Sequence, residues 1–430
     1  MPLILKNQTM FNKNTLINAI IISIALTFSF SLNAEQSDIG WLDSTIRNLT
    51  TDVSTLKNLR VNGFVRAQYM HASSEGMEST LSGTFPEGTK DIFKIRSGRL
   101  RINYNSGMVN YVLQLNATEN VAAFMPIEAF IEAKDPWLNM FSIRCGMFKP
   151  NISQELLYPS DLRYGNEPAV VVQKFMPLET DIGFHLMIKH PQFPLSLTTG
   201  IFNGNSIAPE NDNRKNFTAR LMYDDTFMKG KFRMLLAAAT YQGGVYQGNP
   251  NVYSMNGNTF SLNSDPANVG KQAERNYYIF GTTLQYYSPI GKTWLNAEFW
   301  TGTQTGSAAS VNSPRGDRPS GDSYIRPFRT IFGLLAHEIQ GTNTALAVKC
   351  DHFNPNTDVS GDEIGAANSY TGIPDIAYTT LSYGLIFTPT NHLRFSVWYD
   401  MPINEKTQYV SGYTENRNNN LLTFMMQVRF

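Results

Sequence analysis

From about residue 61 to residue 430 the chain repeats one pattern, apolar and polar residues in strict alternation. Successive side chains of a β-strand point to opposite faces, so each such segment has one apolar face and one polar face. The last ten residues show it best. Leu422, Phe424, Met426, Val428 and Phe430 share a face, against Thr423, Met425, Gln427 and Arg429. Near the start, Val61, Val65 and Tyr69 oppose Asn62, Arg66 and Gln68. In Met108–Thr118, Val109, Tyr111, Leu113, Leu115 and Ala117 oppose Asn110, Gln114, Asn116 and Thr118. The same pattern predicts strands at Ile92–Tyr104, Ile127–Lys134, Asn139–Phe148, Ile182–Lys189, Leu195–Asn203, Phe217–Asp224 and Lys231–Tyr241. It continues at Asn276–Tyr287, Thr293–Thr303, Phe328–Ile339, Thr344–His352, Ala377–Thr388 and Asn391–Asp400. The total of sixteen is even, as a closed antiparallel barrel with both termini on one side requires.

The connections carry the fold further than any single strand. Asn105–Gly107, Lys134–Leu138, His190–Pro194, Asp225–Gly230, Ser288–Lys292, Gln340–Asn343 and Pro389–Thr390 are turn-like. Between them come long stretches rich in Gly, Asn, Ser and Pro: Ala72–Asp91, Pro150–Asp181, Asn205–Asn213, Gln242–Arg275, Gln304–Pro327, Pro355–Ile376 and Pro402–Asn420. Glu119–Pro126 is the one modest member of the long set. Short and long connections alternate, the asymmetry of periplasmic turns and external loops in outer-membrane barrels. A soluble sandwich has no reason to sort its loops by length in this way. The expected fold is therefore all-β, a transmembrane antiparallel barrel of about 16 strands spanning residues 60–430.

Ahead of the barrel the period changes. Ile39, Leu42, Ile46, Leu49, Val53 and Leu56 are spaced three and four apart, the seam of a short heptad helix over residues 35–59. Ser37 or Asp38 can cap it. Either a periplasmic coiled coil between subunits or a helix lying at the barrel mouth accommodates that seam. Residues 1–34 read as a signal peptide, with Lys6 and Lys13 before the apolar run Ile17–Leu32 and Ala34 as the last residue removed. Met10 offers an alternative start. Beyond that run no apolar stretch reaches the roughly 18 residues of a spanning helix.

Composition adds little until charges are placed on faces. Removing the two lysines of residues 1–34 from the 35 basic residues leaves 33 against 35 acidic ones, so net charge gives no sign of a nucleic-acid partner. The faces opposite the apolar ones are more informative. They carry Arg66, Arg99, Arg101, Arg144, Arg220, Arg233, Arg329, Lys349, Arg394 and Arg429, against Glu128, Glu132, Asp224, Glu298 and Asp351. In a low-dielectric wall this excess attracts anions, and the planar guanidinium suits phosphate oxygens. If arginines and acids pair across the lumen, the preference weakens. Cys145 and Cys350, the two cysteines, fall on apolar faces of the fifth and thirteenth strands and are expected to be free thiols.

Several short motifs resemble the phosphate-selective porin O/P family. Ile143-Arg144-Cys145-Gly146-Met147-Phe148-Lys149-Pro150 looks like its Gly-x-Phe-Lys-Pro strand end, and Asp181-Ile182-Gly183 like its Asp-x-Gly strand start. Gly200-Ile201-Phe202-Asn203-Gly204 and Phe353-Asn354-Pro355-Asn356-Thr357-Asp358 resemble two further strand-to-loop motifs. Arg96-Ser97-Gly98-Arg99-Leu100 departs from the family's Arg-Arg-Ala-Arg-Leu by lacking the second arginine. The resemblance implies a trimeric, water-filled porin of the Gram-negative outer membrane that passes small anionic or polar solutes. It also implies that the third external loop, residues 150–180, folds into the lumen, making Arg163, Lys174, Asp161 and Glu167 constriction candidates beside Glu155 and Glu179. The run Ala169–Val172 then packs on the inner wall, or else forms an extra strand. The final Phe430 resembles the signal read by the barrel-assembly machinery.

Catalytic chemistry finds no foothold. His71, His185, His190, His337, His352 and His392 form no H-E-x-x-H pattern, and no G-x-S-x-G elbow or phosphate-cradling loop is present. His337 reads as a pore-lining residue. The expected function is a channel without cofactor or metal, embedded in membrane lipid. A non-selective or cation-preferring porin and a closed structural or adhesive barrel remain the alternatives.

Overall fold

The computed structural model describes residues 45–46, 49, 53, 56–117, 124–314 and 319–430. Sixteen strands form the barrel. They are β1 (Leu59–Ala72), β2 (Asp91–Asn105), β3 (Val109–Ala117), β4 (Met125–Lys134), β5 (Phe141–Phe148), β6 (Asp181–Lys189), β7 (Leu195–Phe202) and β8 (Asn216–Phe227). Then follow β9 (Phe232–Tyr246), β10 (Gln272–Ser288), β11 (Gly291–Gly306), β12 (Ser323–Ile339), β13 (Thr344–Asn354), β14 (Tyr378–Thr390), β15 (Leu393–Asn404) and β16 (Leu421–Arg429). Each pairs antiparallel with its neighbours in sequence, and β16 returns to β1 in the register Phe64↔Arg429 to Ala72↔Leu421. The barrel is closed and leaves no sheet edge within the wall, which is what lets strands cross a bilayer.

The alternation survives in three dimensions. Val61, Val65, Tyr111, Leu113, Ile143, Leu197, Leu221, Leu346, Leu385, Phe424 and Met426 are exposed on the outer face, where lipid covers them. Gln68, Thr198, Thr218, Asn296, Thr380, Ser396, Thr423 and Gln427 are buried on the inner face. Cys145 and Cys350 are free and exposed, on β5 and β13.

The wall is uneven. β5 and β7 have 8 residues and β3 has 9, near the minimum for a tilted spanning strand. β10 and β12 have 17 and β11 has 16, so these strands rise beyond the membrane. Part of Gln242–Arg275 continues the tall side. A ribbon of Asn251–Asn256 and Thr259–Ser264 lies against it, with Val252–Ser254 parallel to Ser323–Ile325 of β12. The sequence pattern ended these strands too early because rim residues face solvent on one side, where alternation has no lipid to answer to.

Two bulges reset the alternation. In β2 the register against β1 shifts between Arg66 and Ala67, so that Phe93 and Ile95 are exposed outward yet Arg99 and Arg101, of the same parity, point inward. In β4 a shift opposite Gln114/Leu115 turns Ile127 inward beside Glu128. Glycine is required where strands cross most tightly. A Cβ at Gly146, whose φ is 127°, would lie 2.3 Å from the Ala129 carbonyl oxygen.

Ahead of the barrel only a few residues of 1–58 are described. Leu49, Val53 and Leu56 are helical and exposed there. Ile39, Leu42 and the expected signal peptide lie outside the described residues.

Candidate functional site: the lumen and its inner loop

Residues 149–180 bond to inward-facing side chains from many strands of the ring. Two short helices organise the segment, α1 (Gln154–Leu157) and α2 (Val170–Phe175). Ser153 caps α1, its Oγ accepting from Leu156 N at 3.0 Å and donating to Glu298 Oε2 at 2.8 Å. Glu298 of β11 also accepts from Gln154 N at 2.6 Å, Glu155 N at 3.1 Å and Trp300 Nε1 at 2.8 Å. A buried carboxylate so surrounded by donors satisfies the open N–H groups of the first turn.

The run Ala169–Val172 opens α2 and is not a strand. Val170 N donates to Asp351 Oδ2 at 2.9 Å, and the helix buries Val170, Val171, Val172 and Phe175 among Tyr241, Tyr277, Ile279, Trp300, Phe328 and Phe332. Phe175 stacks on Tyr277 at 5.3 Å and meets Phe328 edge-on at 4.6 Å. Nearby, Tyr164 packs on Trp294 at 5.1 Å and its hydroxyl donates to Glu338. Under α2 the inner faces of β10 to β12 are thus aromatic and apolar, whereas under α1 β11 presents Asn296 and Glu298.

On the opposite wall the loop is held by charge. Arg96 of β2 grips Glu167 through Nε and Nη2, each at 2.6 Å. Arg394 Nη1 donates to the carbonyls of Asp161 and Arg163 at 3.2 and 3.0 Å, and Gln427 Nε2 to Asp161 O at 2.8 Å. Arg99 Nη1 reaches Ser160 Oγ at 2.8 Å, and Gln68 Nε2 reaches Asn166 Oδ1 at 2.8 Å. Beside the aromatic wall, Lys349 of β13 lies 3.3 Å from Asp351 and donates to Pro168 O at 3.1 Å.

Arg66 is buried and donates to Gln427 Oε1 at 2.8 Å. Arg101 pairs with Glu128, and Arg144 with Glu132 at 3.2 Å. Arg220 Nη1 and Nη2 bind Asn151 and Gln154 of the loop at 2.7 and 3.2 Å. Arg233 forks onto Asp224 at 2.8 and 2.6 Å. Arg163 lies 3.6 Å from Glu155, and Arg429 lies 3.8 Å from Asp161. Lys174 is not brought to this group; the carbonyl of its residue accepts from Ser313 N at 2.9 Å among the external loops.

Arg329 is a correction. It is exposed and shares its face of β12 with the outward Ile331 and Leu335, while Phe328, Thr330, Phe332, Leu334 and Ala336 are buried inward. His337 lies on the same outward face, bonded to Thr293 Oγ1 at 3.0 Å, and does not line the pore. Because the loop packs on β12, both its faces are apolar, and the polar residues no longer mark the lumen. Arg96 is the converse error. Parity from Arg99 sends it outward, but the bulge in β2 turns it in. The signal lay in the sequence: apolar Phe93 and Ile95 have one parity, Leu100 and Ile102 the other.

Below the loop, toward the short turns, is a cavity of about 850 Å³. Arg99, Arg101, Arg144, Lys149 and Arg429 contribute to its lining, against Glu128 and Asp161. Burial opposes ionisation of Glu179 behind this wall, but Lys149 at 2.7 Å, Arg99 and Arg163 outweigh it and hold the carboxyl below the ordinary range. Burial likewise opposes ionisation of Glu167, and Arg96 overcomes it. Among the described residues no group of three or more His, Cys, Asp or Glu is arranged to hold a metal ion.

No known family model matches the chain, and no curated protein is similar to it in sequence. Solved structures do share its fold. OprB of Pseudomonas putida aligns at a TM-score of 0.56 and 8% identity, over 88% of this chain and 96% of that one. The outer membrane channel DcaP of Acinetobacter baumannii aligns at 0.50 and 11% identity, over 86% and 97%. An anion-selective porin from Comamonas acidovorans aligns at 0.49 and 9% identity, over 86% and 98%. With its closed wall and apolar belt, the protein is a β-barrel of the Gram-negative outer membrane.

Proposed function

We propose that the protein is a porin, a water-filled channel for passive diffusion of small polar solutes, with a preference for anions. The observation that carries the preference is the basic sector formed by β15, β16, β1 to β5 and the loop. There Arg66, Arg96, Arg99, Arg101, Arg144, Lys149, Arg163, Arg394 and Arg429 outnumber Glu128, Glu132, Glu155, Asp161, Glu167, Glu179 and Asp400. Unbalanced positive charge in a narrow low-dielectric passage raises the local concentration of anions. Phosphate is included among the permeant anions on the short motifs that resemble the O/P family and on the guanidinium geometry. DcaP is an outer membrane channel, which fits this reading.

One observation favours a weaker preference. Arg101, Arg144, Arg233 and Lys349 each have a carboxylate within 3.3 Å, and paired charges cancel beyond about 8 Å at physiological salt. A potassium chloride gradient across a planar bilayer decides between the two. The expected reversal potential has the sign of anion preference, and Arg99→Gln with Arg101→Gln moves it toward zero. A cation-preferring native channel overturns the anion reading. Assembly as a homotrimer, with Phe430 read by the insertion machinery, completes the proposal; Phe430→Ala is expected to lower the amount of folded, heat-modifiable protein.

A further inference from the structure

We propose that the cavity below the loop is a subsite for small organic acids, a carboxylate carried on an apolar body, in preference to inorganic phosphate. The inference rests on the anion-preferring reading and names the chemistry of the anion. It follows from the cavity having two unlike walls.

One wall is cationic. Arg101 bonds to Gln114 at 2.7 Å and to Glu128, yet remains about a third exposed to the cavity, with side-chain exposure of 31%. Arg429, 29% exposed, meets Asp161 only at 3.8 Å. Arg144 lies over the Phe130 ring at 4.3 Å and gives Nη2 to Glu132 at 3.2 Å, so one face of its guanidinium is covered and Nη1 is left for a ligand. A guanidinium edge offers two parallel donors to a carboxylate.

The other wall is apolar. Phe64 and Ile127 project inward from β1 and β4, and Leu157, Pro159 and Leu162 descend from the loop. Ile127 reaches the lumen only because the β4 bulge turns it there. Phosphate is all oxygen on its surface and gains nothing from these side chains. It would also fill a small part of about 850 Å³, a volume within the ordinary range of small-molecule sites, about 300–1,000 Å³. An organic acid uses both walls, its carboxylate on the arginine edges and its hydrocarbon against Phe64, Ile127 and Leu162. Glu128 and Asp161 share the cationic wall and weaken the hold on the carboxylate, which a channel needs if the solute is to leave.

The test is block of chloride current through the full-length protein in planar bilayers, with benzoate, inorganic phosphate and neutral benzyl alcohol as probes. Benzoate is expected to halve the current at a concentration about tenfold below that of phosphate, the gain from a few buried carbons. Benzyl alcohol should have little effect. Leu162→Ser, at an exposed loop position that does not endanger the barrel, should narrow the benzoate-to-phosphate ratio at least severalfold, as should Ile127→Thr. Phosphate acting at or below the benzoate concentration overturns the proposal, as does benzyl alcohol acting as well as benzoate. In both cases an anion-type reversal potential shows that the broader reading still stands. A cation-type potential fails both readings.

Discussion

The inner loop is held to two walls of one barrel by opposite chemistry. Asp161 to Glu167 are tied to β1, β2, β15 and β16 by guanidinium and amide hydrogen bonds. Val170 to Phe175 press instead onto the aromatic inner face of β9 to β13. The difference teaches where a barrel sequence can be read. A charged inner face keeps the contrast with lipid; an apolar inner face removes it.

The apolar anchor should be the costlier to break. Phe175 is 1% exposed and touches Tyr277, Phe328 and Phe353. Removing such a ring costs about 3–5 kcal/mol, because the rigid barrel wall cannot collapse into the space. Phe175→Ala is expected to free the α2 end, seen as larger and noisier single-channel conductance and new tryptic cleavage at Lys174. Native conductance with Lys174 still protected would show that the charged tethers alone hold the loop.

The charged anchor should yield less. Arg96→Ala leaves Glu167, whose side chain is 2% exposed, without its forked partner. Breaking a buried pair costs about 3–5 kcal/mol, but the 36% exposure of Arg96 and the nearby Lys94 and Arg66 reduce this, to roughly 2 kcal/mol. Replacing both partners with methionine should restore most of the native conductance, since no charge is then stranded. If the double variant behaves as badly as Arg96→Ala, the pair contributes more than compensation for a buried carboxylate.

Acid separates the two anchors further. Glu167 and Glu179 have carboxyls held below the ordinary range, so their contribution is present above about pH 4.3 and is lost as pH falls through the lower native values. Conductance is expected to stay level from pH 8 to pH 5 and to rise only in stronger acid. The change brought by Phe175→Ala should be present at every pH. A native step near neutrality would place the control on another group.

The same contrast decides what the sequence discloses. Strand number, the closing partner of β16 and the inward faces of β1, β3, β5, β15 and β16 were legible, because lipid outside and polar groups inside enforce the alternation. Arg66, Arg99, Arg101, Arg144, Arg394 and Arg429 were found for that reason. Arg96 and Ile127 were missed because a bulge is one residue long and shifts every later parity. Arg329 and His337 were misplaced because Phe328, Phe332, Leu334 and Ala336 make the lumenal side of β12 as apolar as the outside. Loop contacts of that kind join residues far apart in the chain, and no local pattern records them.

The smallest expected effect is the sharpest test of that assignment. Arg329 pairs across the sheet with Asn354 and Thr301 and shares its exposed face with Ile331. A charge outside the wall acts on permeating ions only through protein and headgroup water. Arg329→Gln should therefore leave the reversal potential where it is, whereas Arg101→Gln moves it. Cysteine at position 329, in a chain with Cys145 and Cys350 replaced by serine, should react with external reagents without changing the current. A change in current would put Arg329 back in the lumen. The inner face of β12 would then have to be the one bearing Ile331 and Leu335, and α2 would lose the Phe328 and Phe332 surface on which it is seated.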